Sequence, residues 1–298
     1  MNLLKTMFLM TVVTLLLVWV GDVVAGPRGA WLFLVIAGVL NFAAYWFSDK
    51  MALATYRARE VKEAQAPEFH AIVSRLTERA GLPMPRLYVI PSGSPNAFAT
   101  GRDPQHAAVA VTQGILRTLS RDELEGVLAH EIGHVKNRDI LIGSIVATIA
   151  GAITLLSRAA LWGALLGGGN RGRSSNPLAM LLVLVLAPIA AVIVQLAVSR
   201  TREFAADRAG AQLSGKPMAL ASALAKLERG ATAIPMRQAN EATAHQFIVN
   251  PLRGRGMSRL FSTHPSTRDR IARLEQIAAA MGLRAGREVL PPAWSSTG

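Results

Sequence analysis

Two histidines four residues apart enclose a glutamate in His130-Glu131-Ile132-Gly133-His134, the stretch of this chain best suited to chemistry. On a helix of about 3.6 residues per turn, positions 130 and 134 project from one face, and both imidazoles can reach a single ion. Neutral imidazole is a good zinc ligand, and zinc lowers the pKa of a bound water to about 7. Glu131 lies about 100° around the helix from His130, where a carboxylate can take that water's proton and later deliver it to a leaving amine. The pattern is short and arises by chance, and the ordinary alternative is a helix with two packed or surface histidines. Its setting decides between them. Ser120 and Glu123 have the spacing of a capping box, and Leu124, Val127 and Leu128 give the helix a core-facing stripe. Gly133 is a small residue inside the motif, suited to close approach by another element.

Catalytic zinc usually has three protein ligands and an open position, so a third ligand must come from elsewhere. Glu203 is the candidate, in Ser199-Arg200-Thr201-Arg202-Glu203-Phe204-Ala205-Ala206-Asp207. Glu203 and Asp207 share a helix face, and Asp207 could accept a hydrogen bond from a ligating histidine and fix its tautomer. Spacing alone favours a plainer reading, two solvated acids paired with Arg200, Arg202 or Arg208.

The elements around these residues form a small sheet beside helices. Glu68 to Ala80 reads as an amphipathic helix with Phe69, Ile72, Val73 and Leu76 on one face, stopped by Gly81, Pro83 and Pro85. Arg86 to Ile90, Asn96 to Thr100 and Ala107 to Thr112 read as short strands separated by turn residues.

The rest of the chain is unlike a soluble protein. Of its 298 residues, 51% are hydrophobic and 17% charged, and four apolar runs approach the roughly 20 residues needed to span a bilayer. They are Leu3 to Val20, Ala30 to Phe47, Ile140 to Ser157 and Leu178 to Val198. The first could instead be a cleaved signal peptide, though a second run follows at once; the last two could be a buried or monotopic hairpin. Of 32 Lys and Arg, 12 lie between Asp49 and Asp139 and 15 after Ser199. The positive-inside rule therefore places the N-terminus, the middle region and the C-terminal region in the cytoplasm. The net charge of +13 follows from this distribution; no nucleic-acid module is visible. There are no cysteines, which excludes disulfides, Cys nucleophiles and Cys-ligated metals.

The order of these features resembles the HtpX-type membrane metalloproteases, with the Ste24 prenyl-protein proteases as more distant relatives. The likeness runs over nearly the whole chain. It comprises the N-terminal apolar hairpin, Pro95-Asn96-Ala97-Phe98-Ala99-Thr100-Gly101, His130 to His134, the second apolar hairpin, Arg202-Glu203-Phe204-Ala205-Ala206-Asp207 and Ser262-Thr263-His264-Pro265. The resemblance implies one zinc ion bound by His130, His134 and Glu203, Glu131 as base, and Asp207 as a partner of a ligand. It implies that Asn96, Ala97 and Phe98 belong to an edge strand that holds an extended substrate, which agrees with the capacity of an exposed edge to accept a peptide as an added strand. It places His264 near the active site, where it could donate to the oxyanion; the plainer reading is a residue at a helix start. His70, His106 and His245 read as surface or structural residues.

The expected architecture is mainly α with a small β-sheet, an α+β zincin-like catalytic domain with about four transmembrane helices in two hairpins. Residues 1–48 would form the first hairpin, 49–139 the first part of the catalytic domain, 140–198 the second hairpin, 199–290 the second part, and 291–298 a tail. The resemblance implies a multi-pass protein of the bacterial inner membrane, its site facing the cytoplasm, that cuts misfolded or damaged membrane proteins and sometimes itself. The rivals are an intramembrane protease, a prenyl-protein-type protease and a non-enzymatic membrane scaffold. Arg121, Asp122, Glu123 and Glu125 before the motif, and Lys136, Arg138 and Asp139 after it, argue against a site inside a spanning helix.

Overall fold

The computed structural model describes residues 2–146, 148–150, 200–236, 246–251 and 265–283. The first element, α1 (Asn2–Thr55), is two helices joined at a kink, where Ala25 and Gly26 leave helical geometry and Gly26 adopts φ +62° ahead of Pro27. The two arms fold back on each other. The Asn41 amide donates to Thr14 Oγ1 at 2.8 Å, and Leu9, Val13, Leu17 and Val20 pack in one cluster with Ala37 and Ala44. Near the kink a Cβ on Gly29 would collide with the Gly21 carbonyl, so glycine is needed for the arms to meet. The two arms of α1 form an apolar hairpin.

Its membrane reading is narrower than expected. Among the described residues one helix, Ala25–Thr55, is long and apolar enough to cross a bilayer. Thr6–Asp22 is a shorter apolar helix, because the acid at Asp22 and the kink behind it cut the apolar run short. Ile140–Ala150, called α5 here, adds Ile142, Ile145, Val146 and Ile149 to the same cluster. The fourth run, 178–198, lies outside the described residues. Among the described residues one helix thus meets that measure of length and apolarity, and residues 151–157 of the third run also lie outside them.

After α1 come β1 (Arg59–Glu60), α2 (Pro67–Ala80), β2 (Arg86–Ile90), β3 (Ala97–Thr100), β4 (Ala108–Thr112), α3 (Gln113–Thr118), α4 (Arg121–Lys136), then α6 (Arg200–Ser214), α7 (Pro217–Ala233) and α8 (Thr267–Ala280). The strands form one mixed sheet in the order β1-β2-β4-β3. β2 pairs parallel with β4, and β3 returns antiparallel to β4 as the edge strand. The chain is thus mainly helical with a small four-stranded sheet.

The main core lies between the sheet and the helices. Ile72 and Leu76 of α2, Val109 and Val111 of β4, Val127, Leu128 and Ile132 of α4, and Leu220, Leu224 and Leu227 of α7 belong to one cluster. Leu274 of α8 completes it. Chain on both sides of the second apolar region therefore shares one core. α4 runs through its centre. It starts at a true capping box: Ser120 Oγ accepts from Glu123 N, and Ser120 N donates to Glu123 Oε2 at 2.8 Å.

Candidate metal centre

α4 presents His130 and His134 one turn apart, and small residues decide what can stand opposite them. A Cβ on Gly210 of α6 would sit 2.8 Å from His130 N, and one on Gly133 would sit 3.2 Å from Ala206 O. The two helix backbones therefore touch, and Glu203 is carried across from α6 to the histidines. Donor atoms of His130, His134 and Glu203 all fall within 4.8 Å of one another. His130 Nε2 and His134 Nε2 are 3.2 Å apart, and Glu203 Oε1 is 3.6 Å from His134 Nε2. Bonds of about 2.0–2.1 Å in a tetrahedral site separate donors by about 3.3 Å, so these two separations are of the size that a shared metal ion needs.

The opposite ring nitrogens are held by carboxylates. Asp207 Oδ1 lies 3.0 Å from His130 Nδ1, and Asp139 Oδ2 lies 3.3 Å from His134 Nδ1. In the neutral form of each ring, a proton on Nδ1 would serve these contacts and leave the Nε2 lone pair for a metal. Asp139 reaches back because Arg138 takes a left-handed turn, φ +57°, letting Asp139 N donate to His134 O at 3.0 Å. The two imidazoles differ in character. Burial, with Arg270 nearby, pushes His130 down to about 4. Burial also opposes charge on His134, but the Asp139 hydrogen bond and the Glu203 and Glu131 carboxylates win and raise it to about 9.

Glu131 is buried, and the backbone N–H of Ala99 donates to its carboxylate. Burial pushes its pKa up to about 7, against the pull of His134. The acid is therefore pinned between the histidine pair and edge strand β3. The same strand edge is partly occupied from within the chain. Ile248 N donates to Ala97 O at 3.1 Å, and the Asn96 amide donates to Val249 O at 2.7 Å. Asn96, Ala97 and Phe98 are all buried, and the Phe98 ring packs against Tyr56 and Phe247. β3 is an edge strand as expected, but its Asn96–Ala97 half already has a partner segment.

Sequence reasoning missed Arg270. This arginine is 2% exposed and grips Asp207 with two bonds, Nε to Oδ2 at 2.9 Å and Nη2 to Oδ1 at 2.6 Å. Its Nη1 donates to Ile248 O at 2.9 Å and lies 3.8 Å from Glu203 Oε2. Burial and the Arg270 charge act in opposite directions on Asp207, and the arginine prevails, holding the carboxyl below its usual value. The sequence did carry a signal: Arg270 lies on the buried stripe Thr267, Arg270, Leu274, Ala278 of α8, where an apolar residue is expected. His264 lies outside the described residues. His70 and His106 make local contacts, to Val61 O and to Asp103, as befits structural residues.

Comparison with known proteins agrees with this geometry. Residues 63–278 match the model of Peptidase family M48. A Protease HtpX homolog of Syntrophotalea carbinolica is 57% identical over 279 residues, covering 93% of this chain and 99% of that one. Homologs of the same name from Thermococcus kodakarensis and Paraburkholderia phytofirmans are 55% and 54% identical, each covering 97% of its own length. The crystal structure of S. mikatae Ste24p aligns with a TM-score of 0.48 at 20% identity, over 82% of this chain and 57% of that one. Two histidines and a glutamate converging beside a buried acid are what a metal-dependent peptidase requires, and with these matches the chain belongs to peptidase family M48, a membrane metallopeptidase of the HtpX type.

Proposed function

We propose that the chain is a zinc endopeptidase that cuts peptide bonds of misfolded or damaged membrane proteins, itself among them, as part of quality control and stress response. The observation that carries this is the convergence of His130, His134 and Glu203 beside Glu131. These three residues would hold one zinc ion; two nitrogens and a carboxylate suit zinc better than the harder cations. When bound, the metal supplies Lewis acidity toward water and toward the scissile carbonyl. Glu131 accepts the proton of the attacking water and passes it to the leaving amine. Its elevated pKa suits both halves of that exchange near neutral pH. Asp207 keeps His130 in the tautomer that presents Nε2. His264 would donate to the oxyanion.

A substrate would lie extended along β3 with its scissile bond near Glu131. The Glu131–Ala99 contact supports this placement, because it sets the base directly against the outer edge of β3. Asn96, Ala97 and Phe98 would shape the end of that groove, together with the segment already seated on them.

In the same reading residues 1–48 and 140–198 form two membrane hairpins, giving four spanning helices. Residues 49–139 and 199–290 form the catalytic domain, on the cytoplasmic side of the bacterial inner membrane, and 291–298 is a tail. The charge distribution supports the orientation. From that side the site meets cytosolic loops of membrane substrates.

The test is purification with chelator, addition of zinc, and degradation of an unfolded protein, with Glu131→Gln alongside and zinc measured in both. Wild type should cleave only with zinc. The variant should hold zinc equally and lose activity by about 10²–10⁴-fold. Zinc binding without cleavage in either protein would make the site structural toward such substrates. A folded protein that binds no metal would sink the proposal.

A further inference from the structure

Away from the catalytic residues, a cleft of about 680 Å³ opens between the end of α1 and the sheet. Its lining is of two chemical kinds. Phe42, Trp46, Phe47 and Met84 are apolar, each more than 40% exposed. Lys50, Arg86 and Arg102 supply positive charge beside them. Arg86 is committed to Asp49 at 2.6 Å. Arg102 is held differently: its guanidinium lies 4.6 Å over the Trp46 ring, while Asp103 is 3.6 Å from Nε. Lys50 Nζ lies 5.7 Å from the Phe47 ring centre and has no carboxylate partner among the described residues. Three cations against Asp49 and Asp103 leave the cleft positive.

We propose that this cleft binds the headgroup of an anionic phospholipid. Trp46 and Tyr45 stand where the apolar run of α1 gives way to Asp49 and Lys50, the level at which aromatic residues mark a bilayer surface. A lipid there can lay its acyl chains along the exposed apolar side chains and its phosphate against Arg102 and Lys50. The planar guanidinium fork of Arg102 can take a phosphate with two hydrogen bonds. A small soluble anion would leave the apolar side chains in water, and a zwitterionic lipid would bring its own compensating cation. The assignment rests on the membrane placement of α1 made above.

The experiment uses the full chain in detergent. Its melting temperature is followed while short-chain phosphatidylglycerol, short-chain phosphatidylcholine or inorganic phosphate is added. Wild type should show a saturable rise with phosphatidylglycerol alone. Lys50→Gln/Arg102→Gln should need about tenfold more lipid for half the rise, the loss of a charge-assisted hydrogen bond, while Arg229→Gln on α7 behaves as wild type. Arg102→Lys, which keeps the charge and loses the fork, should also weaken the response and serves if the double variant does not fold. An equal rise with phosphatidylcholine, an equal rise with inorganic phosphate, or equal weakening by Arg229→Gln would each overturn the site. The underlying membrane reading fails separately, if the chain stays monodisperse without detergent and does not float with phosphatidylcholine vesicles.

Discussion

Each histidine of the candidate metal site has a carboxylate at its back, but the two carboxylates are secured by different means. Asp139 is positioned by backbone, through the turn at Arg138. Asp207 is positioned by another side chain, Arg270, which also fixes Ile248 on the edge strand. Arg270 therefore joins the candidate metal site, through Asp207, to the segment bordering β3. Replacing Asp207 by Asn should weaken zinc binding by about 10–100-fold, read by competition with a chromophoric chelator. Arg270→Gln should act on stability as well, because it leaves a buried carboxylate with only a neutral partner; a loss of about 3–5 kcal/mol in denaturant melts is expected. A variant that keeps both stability and zinc affinity would show that Arg270 is a bystander. Legibility at this scale was uneven. His130, Glu131 and His134 could be read directly, because one helix turn fixes their relation. Glu203 could not be separated from a surface acid by spacing, since its role depends on a helix seventy residues away. Arg270 lay hidden among neighbouring arginines, Arg268 and Arg273, which face other surroundings.

At the level of elements, the metal centre depends on how closely α6 approaches α4. Gly210 rests on the backbone of His130, and a Cβ on Gly126 of α4 would sit 3.0 Å from the Leu220 backbone of α7, closer than ordinary contact. Gly210→Ala must push α6 outward and carry Glu203 away from the histidines. It should destabilise by about 1–3 kcal/mol and lower zinc retention on dialysis, although it alters no ligand. The start of α4 is fastened by charge as well as by packing. Lys226 and Ser222 of α7 hydrogen-bond Glu123, and Lys216 bonds Glu125. Burial opposes ionisation of both acids, but these partners outweigh it and hold both carboxyls below their usual range. A depressed carboxylate pKa contributes stability that is fully present above the unfolded value, about 4.3, and is lost as pH falls through the lower folded value. The part of the melting temperature that these two acids contribute, read as the difference between wild type and Glu123→Gln/Glu125→Gln at each pH, should therefore hold steady down to about pH 5 and shrink below about pH 4. Glu123→Gln/Glu125→Gln should melt lower at pH 7 and show a shallower acid decline. The helix and its cap were plain in the sequence; the lysines that lock it were not, because nothing local pairs position 123 with 226.

Across the whole molecule, the sequence spoke clearly about where polarity changes and less clearly about how far each apolar run extends. The run Ala30 to Phe47 stops at Asp49, yet its helix continues through Lys50 to Thr55 and delivers Tyr56 to the buried ring cluster with Phe98 and Phe247. The long apolar arm of α1 and the edge strand are thus joined through packed rings, since Phe98 belongs to β3. Hydropathy registers only the apolar stretch, so this rigid coupling was invisible until the contacts were known. It also sharpens the orientation argument. If Ala25–Thr55 crosses the bilayer, the kink near Gly26 and the catalytic core must lie on opposite sides of it. The absence of native cysteine allows a clean test with single introduced thiols. In intact cells Asp22→Cys should react with a membrane-impermeant maleimide, whereas Arg229→Cys should react only after the inner membrane is opened. The reverse pattern would put the catalytic core outside the cytoplasm. Labelling of both in intact cells would mean that the long arm of α1 lies along the membrane surface rather than across it.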